Sequence, residues 1–337
     1  MADIRLTLAM NPYDRIKPLI TGEVKPEGIE LEYVGFPGGV DVFYHQLKFD
    51  RYDISEISFS SYLIARSQGW GYRLLPVFHN RDFAYARLRV REGAGINGPQ
   101  DLKGKRIGSA DYQQTAALWI RGVFQHEFNI KPEDMIWYQE RSPNYSHGGA
   151  SGSRLAGVKF QYAHEKGFEQ MLIDGELDIP ATYQTGADVD KPKKHANLAT
   201  HPLIKTKLLF LNPMEEAVRY YKKNGVYPTH HTTAVRESIL EKYPWIATSL
   251  FDAFERAKKL EMERLYGRAP SLIMFADQWI NEQRSVFGDD PFVYGLKANA
   301  KVIDMVQTFS VEQGLTEKKQ PWEEIFAEEI LLSEEKL

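Results

Sequence analysis

Along the first third of the chain the apolar positions switch between a period of two and a period near four, the signature of alternating strands and helices. Ile4 to Met10 alternates and reads as a strand, and Asn11-Pro12-Tyr13-Asp14-Arg15 then turns into a helix ending near Gly22. Ile29 to Val34 is a second strand, bracketed by Pro26-Glu27-Gly28 and Phe36-Pro37-Gly38-Gly39, and a helix from about Val40 to Phe49 follows. Asp53 to Phe59 is a third strand, with Ser60 and Ser61 where the next helix, Tyr62 to Gln68, begins. Leu74 to Phe78 is a short apolar strand, and Phe83 to Val90 is an extended alternating run.

The middle of the chain keeps this alternation. Residues 93–98, Gly-Ala-Gly-Ile-Asn-Gly, match G-x-G-x-x-G, but no helix opens from the glycines. A strand, Lys105 to Gly108, comes next, so the glycines read as a loop between lobes rather than a pyrophosphate cradle. An amphipathic helix follows, with Ala116, Ile120, Val123 and Phe124 on one face and Thr115 or Asp111 as its cap. His147 to Ser153 is a polar, glycine-rich loop. Phe168 to Gly175 reads as a helix, and Leu177 to Tyr183 and Lys205 to Leu211 as strands. From Pro213 the pattern is mostly helical, with Ile246, Leu250, Phe254, Ala257 and Leu260 forming one stripe and a charged helical tail from Pro291.

Composition narrows the chemistry. The 337 residues suffice for two ordinary domains, and a net charge of -4 gives no reason to expect nucleic acid or an anionic membrane as partner. Cysteine is absent, which excludes disulfides, thiolate nucleophiles and thiolate metal sites. No stretch approaches the ~20 apolar residues that cross a bilayer. The N-terminus lacks a basic segment followed by a long apolar one, so a cytoplasmic location is expected.

The segment Gly225 to Arg236 concentrates the candidate proton chemistry: His230, His231 and three threonines around Pro228. Imidazole is the side chain most easily poised to move a proton near neutral pH. Neighbouring residues of an extended chain point to opposite faces, so one of the two histidines faces any given cleft. No H-x-x-x-H, H-E-x-x-H or H-x-H pair occurs, so a divalent metal would need ligands assembled from distant positions. Ligands of open α/β sheets bind where strands end and helices begin. Tyr13 and Arg15, Ser58, Ser60 and Ser61, His79 and Arg81, Asp111, Tyr112 and Thr115, and Tyr183 all fall at such junctions. Helix N-termini and arginines together suit a carboxylated ligand. Against this, Arg15 and Arg81 also read as ion-pair partners, the serines as helix caps and Tyr183 as a core aromatic.

The chain resembles the 4,5-dihydroxyphthalate decarboxylase family, on a type II periplasmic-binding-protein-like fold. The motifs that carry the likeness are Val24 to Ile29, Pro76-Val77-Phe78 with Arg81, Leu102 to Gly108, Tyr112-Gln113 with Thr115-Ala116-Ala117, Trp119 to Gly122, Gly225 to Arg236, and Phe287 to Pro291 with Tyr294-Gly295-Leu296. The resemblance implies two α/β lobes around a central cleft with a helical C-terminal region. Lobe one would comprise residues 1–86 and 208–337, and lobe two the inserted residues 87–207. It implies a non-oxidative decarboxylase of a hydroxylated aromatic acid and selects His231, the histidine directly before a threonine, as the catalytic residue. Arg15, Arg81 and Thr115 would hold carboxylates; Ser60, Tyr112 and Tyr183 would orient hydroxyls, with Tyr13, His79 and His230 lining the same cleft. The expected partner is a small aromatic carboxylate; the need for a divalent metal and homo-oligomerisation stay open. The alternative is a non-catalytic receptor for an aromatic acid. A relative of thiamine-pyrimidine synthases, which share the fold, is disfavoured by the missing cysteine cluster.

Overall fold

The computed structural model describes residues 3–35, 42–142, 144–147, 157–163, 166–182, 201–267 and 273–335. In chain order the first elements are β1 (Ile4–Ala9), α1 (Lys17–Ile20), β2 (Ile29–Val34), α2 (Val42–Phe49), β3 (Ile54–Ser58), α3 (Phe59–Ser67) and β4 (Tyr72–Phe78). A second set follows: β5 (Arg89–Arg91), β6 (Arg106–Ser109), α4 (Thr115–Phe128), β7 (Ile136–Gln139), β8 (Lys159–Tyr162), α5 (Phe168–Ile173), β9 (Ile179–Pro180) and β10 (Thr206–Leu208). The last part holds α6 (Pro213–Asn224), β11 (His231–Arg236), α7 (Glu237–Lys242), α8 (Ile246–Gly267), α9 (Ala276–Phe287), α10 (Leu296–Glu312), α11 (Trp322–Ile325) and α12 (Glu328–Glu335).

Two sheets result. The first has the order β2-β1-β3-β11-β4, and the second the order β8-β7-β6-β9. β1, β2 and β3 pair in parallel, each reached through a helical connection. β11 returns from the second half of the chain and lies antiparallel between β3 and β4, with His231 opposite Ser58 and Thr233 opposite Glu56. All neighbours in the second sheet are parallel. Between the sheets, β5 and β10 pair as an antiparallel ribbon carrying the chain out and back.

The largest apolar cluster runs through both sheets, joining Leu8, Ile57 and Val77 of the first to Ile107 and Trp137 of the second. A smaller cluster, with Phe168, Met171 and Leu177, packs α5 onto the second sheet. The stripe expected on α8 is real: Ile246, Leu250, Phe254 and Ala257 are all buried. Gly28 sits in a left-handed turn at φ 70°, and a Cβ there would come within 2.9 Å of the Trp245 ring. No described helix is long and apolar enough to cross a membrane.

Several elements depart from the sequence pattern: the expected strands Leu177 to Tyr183 and Lys205 to Leu211 shorten to Ile179–Pro180 and Thr206–Leu208, and β7 and β8 have no counterpart in it. The segment after β1 is a short 3-10 turn, Asp14–Ile16, and one turn of α-helix rather than a longer helix. Phe83 to Val90 is extended only at its end: Ala84–Arg87 forms a 3-10 turn that buries Tyr85, whose hydroxyl donates to Glu216 at 2.9 Å. β11 was hidden in a region read as mostly helical, although Thr-Thr-Ala-Val is rich in strand-favouring residues.

Gly122 on α4 fixes how closely that helix meets α10, since a Cβ there would lie 2.2 Å from the Phe309 ring. Replacing Gly122 by Ala should cost about 1–3 kcal/mol through overpacking. A urea-unfolding midpoint equal to that of the unmodified protein would contradict this contact.

Candidate active site

The site begins with a charge in an unexpected place. Glu56 lies inside the central strand β3, every residue of which is buried. A buried carboxylate is tolerated only when its oxygens are satisfied. Oε2 accepts from both the backbone N–H and the side-chain amide of Asn11, each at 2.8 Å. Oε1 accepts from the Tyr13 hydroxyl at 2.5 Å and lies 2.6 Å from Nδ1 of His231. Burial alone would raise the Glu56 pKa. The hydrogen bond and charge of His231, with the Tyr13 hydrogen bond, outweigh it and bring the group from 4.5 down to about 2.

Register explains the meeting. Residues 56 and 58 share one face of β3, and 231 and 233 the facing positions of β11, so Glu56 and His231 are diagonal neighbours within reach of long side chains. The His231 side chain is 16% exposed while that of Glu56 is 0% exposed, so the imidazole joins the buried carboxylate to open space. Among the described residues its Nε2 has no hydrogen-bond partner. Phe43 of α2 meets the imidazole in an edge contact at 4.8 Å between ring centres.

Tyr13 is a structural donor here. Burial first, then the Glu56 charge, push its phenol far above the ordinary range, so it remains protonated. Its ring stacks on His79, with centres 5.6 Å apart and planes 5° from parallel. His79 is fully buried, pairs through Nε2 with Thr233 Oγ1 at 2.6 Å, and is lowered by burial to about 3. It is therefore neutral. His230 is also buried and lowered to about 3 by burial, and its backbone ties the crossing to Asn80 and Phe59. Of the two adjacent histidines, His231 alone combines partial exposure with a carboxylate partner.

The two candidate arginines differ. Arg15 lies between the Tyr13 ring at 4.6 Å and the Phe292 ring at 4.4 Å. Its buried Nε has no hydrogen-bond partner and no carboxylate lies within ion-pair distance, among the described residues. Phe292 is delivered by Asp290, which accepts from the Phe292 backbone N–H at 2.8 Å and pairs with Lys258 at 2.7 Å. Arg81 corrects the expectation of a carboxylate clamp. Its terminal nitrogens donate to the Tyr227 and Val293 carbonyls at 3.0 and 2.9 Å and to the Asn299 side chain. Arg81 staples the return crossing to the segment before α10.

Residues of the second sheet reach the same region. Thr115 does not cap α4. Its hydroxyl lies 2.8 Å from the Ser58 hydroxyl and accepts from the Ser60 backbone N–H at 2.9 Å, tying α4 to the start of α3. Ser60 and Ser61 likewise lie inside the first turn of α3, with Ser58 at the cap position. Among the described residues the buried Ser60 hydroxyl has no hydrogen-bond partner. Asp111 accepts from the His147 backbone N–H at 2.9 Å, and Nδ1 of His147 lies 3.3 Å from the Ser61 hydroxyl. Phe43 also touches His147, at 5.8 Å. Tyr112 is a core residue: Arg121 lies 3.7 Å over its ring, and Trp137 and Phe160 meet it edge-on. Tyr183 falls outside the described residues. Among those described, no group of three or more His, Cys, Asp or Glu comes together that could hold a metal.

No family model matches the sequence. A 4,5-dihydroxyphthalate decarboxylase from Comamonas testosteroni is 30% identical over 97% of this chain and 97% of its own length. The chain belongs to the 4,5-dihydroxyphthalate decarboxylase family. A second member of this decarboxylase family, from Pseudomonas putida, is 35% identical over 41% of this chain and 53% of its own. Among solved structures, the periplasmic aliphatic sulphonate binding protein of Escherichia coli superimposes with TM-score 0.55 at 12% identity, over 96% of this chain and 92% of its own. A periplasmic sulfonate-binding protein from Methylobacillus flagellatus gives TM-score 0.51 at 11% identity, over 100% of this chain and 95% of its own. At such identities the likeness is one of fold, and the expected periplasmic-binding-protein-like architecture is borne out.

Sequence reasoning missed Glu56, Asn11, Phe43, His147 and Phe292. For Glu56 there was a signal: an ionisable residue between two isoleucine positions of a buried strand demands partners. The others are brought in by tertiary contacts. The Glu56 shift also has a pH consequence. Its lowered pKa contributes stability that is complete above pH 4.5 and is lost as pH falls through about 2. The melting temperature of Glu56→Gln should therefore depend less on pH across that window than the parent's. Parallel profiles would refute the ionised state assigned to this carboxyl.

Proposed function

We propose that the protein is a non-oxidative aromatic decarboxylase that converts 4,5-dihydroxyphthalate to protocatechuate and carbon dioxide, with His231 moving the proton. Family membership supplies the reaction class. The observation that supports the residue assignment is the imidazole suspended between a buried carboxylate and open space, with Arg15, which has no carboxylate partner among the described residues, over the ring of the tyrosine that bonds the same carboxylate oxygen.

The chemistry constrains the roles. Breaking the bond from ring to carboxylate directly would leave an electron pair in an in-plane ring orbital with nothing to stabilise it. Protonating the ring carbon first avoids this. The hydroxyl para to that carbon pushes electrons into the ring, and Nε2–H of the His231 imidazolium gives its proton to the carbon. The carbon–carbon bond then breaks, its electron pair restores the aromatic ring, and carbon dioxide leaves. His231 regains a proton from solvent, so the net reaction consumes one proton per carboxylate lost. Positioned acid catalysis of this kind is typically worth about 10²–10⁴ in rate.

Arg15 would hold the carboxylate that stays. Its planar fork suits bidentate carboxylate recognition, and the flanking rings of Tyr13 and Phe292 keep it in place without neutralising it. The Phe43 ring beside His231 offers an apolar wall for an aromatic substrate. Residues 87–207 would act as the closing lobe, with Thr115 bridging to Ser58 and Ser60 when shut.

Incubation with 4,5-dihydroxyphthalate should release carbon dioxide. His231→Gln should lower kcat by about 10²–10⁴. Arg15→Met should mainly raise KM, about tenfold or more, from loss of a charged hydrogen bond. Recovery of tightly bound but chemically unchanged ligand would instead favour a receptor.

A further inference from the structure

The Glu56 site contains more information than a pairing. We propose that Glu56 is the positioning residue of this centre: it keeps a proton on Nδ1 of His231, so that every proton the imidazole gives or takes passes through Nε2. This rests on the reading of His231 as the proton-transfer residue, and adds which of its atoms works and what enforces that choice.

Donors and acceptors around the carboxylate decide which ring nitrogen carries the proton. An ionised carboxylate only accepts hydrogen bonds. At Oε2 it meets the Asn11 backbone N–H, which cannot turn into an acceptor, together with the Asn11 amide. At Oε1 it meets the Tyr13 hydroxyl and His231 Nδ1. With all its neighbours donating, the nitrogen 2.6 Å away must carry hydrogen. The neutral imidazole is then the Nδ1–H form, with the Nε2 lone pair facing the open side. When the ring is protonated, Nε2–H is the proton that can leave, and the carboxylate stabilises the cation behind it.

The same geometry predicts what an amide would do. In Glu56→Gln the Asn11 backbone N–H requires the amide oxygen at the Oε2 position, which puts the amide NH₂ at Oε1. The Tyr13 hydroxyl can rotate to accept from that NH₂. His231 Nδ1 must then accept as well, so the neutral ring changes to the Nε2–H form. The imidazolium loses its acceptor entirely. A nearly isosteric change therefore inverts the tautomer and removes the charge that holds the donor form.

The test reads the tautomer directly. Long-range ¹H–¹⁵N correlation spectra of the full-length protein, labelled in its histidines, are recorded at a pH above the imidazole titration. The His231 signals are identified by their loss in His231→Gln. The expected result is the Nδ1–H form in the parent and the Nε2–H form in Glu56→Gln. In parallel, kcat for 4,5-dihydroxyphthalate should fall about 100-fold or more in Glu56→Gln, with KM little changed. Glu56→Asp, which keeps the charge, should restore the Nδ1–H form and part of kcat. An Nε2–H tautomer in the parent, or an unaltered tautomer in Glu56→Gln, would overturn the proposal. So would an unaltered kcat in Glu56→Gln. If Glu56→Gln does not fold, the parent and Glu56→Asp spectra still decide. Should the protein leave 4,5-dihydroxyphthalate unchanged, the spectra test the positioning role independently of the substrate.

Discussion

One buried negative charge organises the first sheet. A carboxylate in the middle of a fully buried strand is unfavourable unless donors surround it, and the chain around Glu56 is arranged to provide four. That requirement explains features that otherwise look unrelated. The chain leaves β1 through Asn11, whose backbone and side chain both reach the same oxygen. It turns so that Tyr13 points inward, and the ring that satisfies the carboxylate also carries His79 on one contact and Arg15 on another. Neutral groups close the charge in, and the partly exposed imidazole carries its influence outward.

Three buried or half-buried arginines differ in what surrounds them. Arg81 and Arg121 are buried and lowered to about 10 by burial, and both donate to backbone carbonyls. Such residues join segments distant in sequence. Arg121 donates to the Tyr112 carbonyl at 2.6 Å and to Gln313 at the end of α10. Arg15 instead lies between the faces of Tyr13 and Phe292, with no carboxylate within ion-pair distance among the described residues.

Much of the architecture was legible in the sequence, because strand and helix periods in the first half differ clearly. The strands at Ile29–Val34 and Leu74–Phe78 and the stripe of α8 follow from local pattern alone. β11 did not, since a six-residue strand flanked by helices gives little periodicity, and its place between β3 and β4 is a tertiary fact. At the site, adjacency in an extended segment says only that one of His230 and His231 faces a cleft, and it is the family resemblance that selects His231. Arg15 and Arg81 looked alike in sequence because both follow a strand, and only their surroundings distinguish them. Phe43, His147 and Phe292 reach the centre from segments whose local sequence says nothing about proton chemistry.

β11 carries a consequence for the birth of the protein. Synthesis proceeds from the N-terminus, so β3 and β4 exist long before the strand that belongs between them. Glu56 and His231 stand 175 positions apart. Until the later segment emerges, β3 and β4 each keep a row of unpaired backbone groups, and the Glu56 carboxylate lacks one of its four donors. The half-made sheet thus has both an open seam and an incompletely satisfied charge along the same line. The strand that delivers His231 is also the one that closes the seam, so completion of the sheet and satisfaction of the buried carboxylate become a single event.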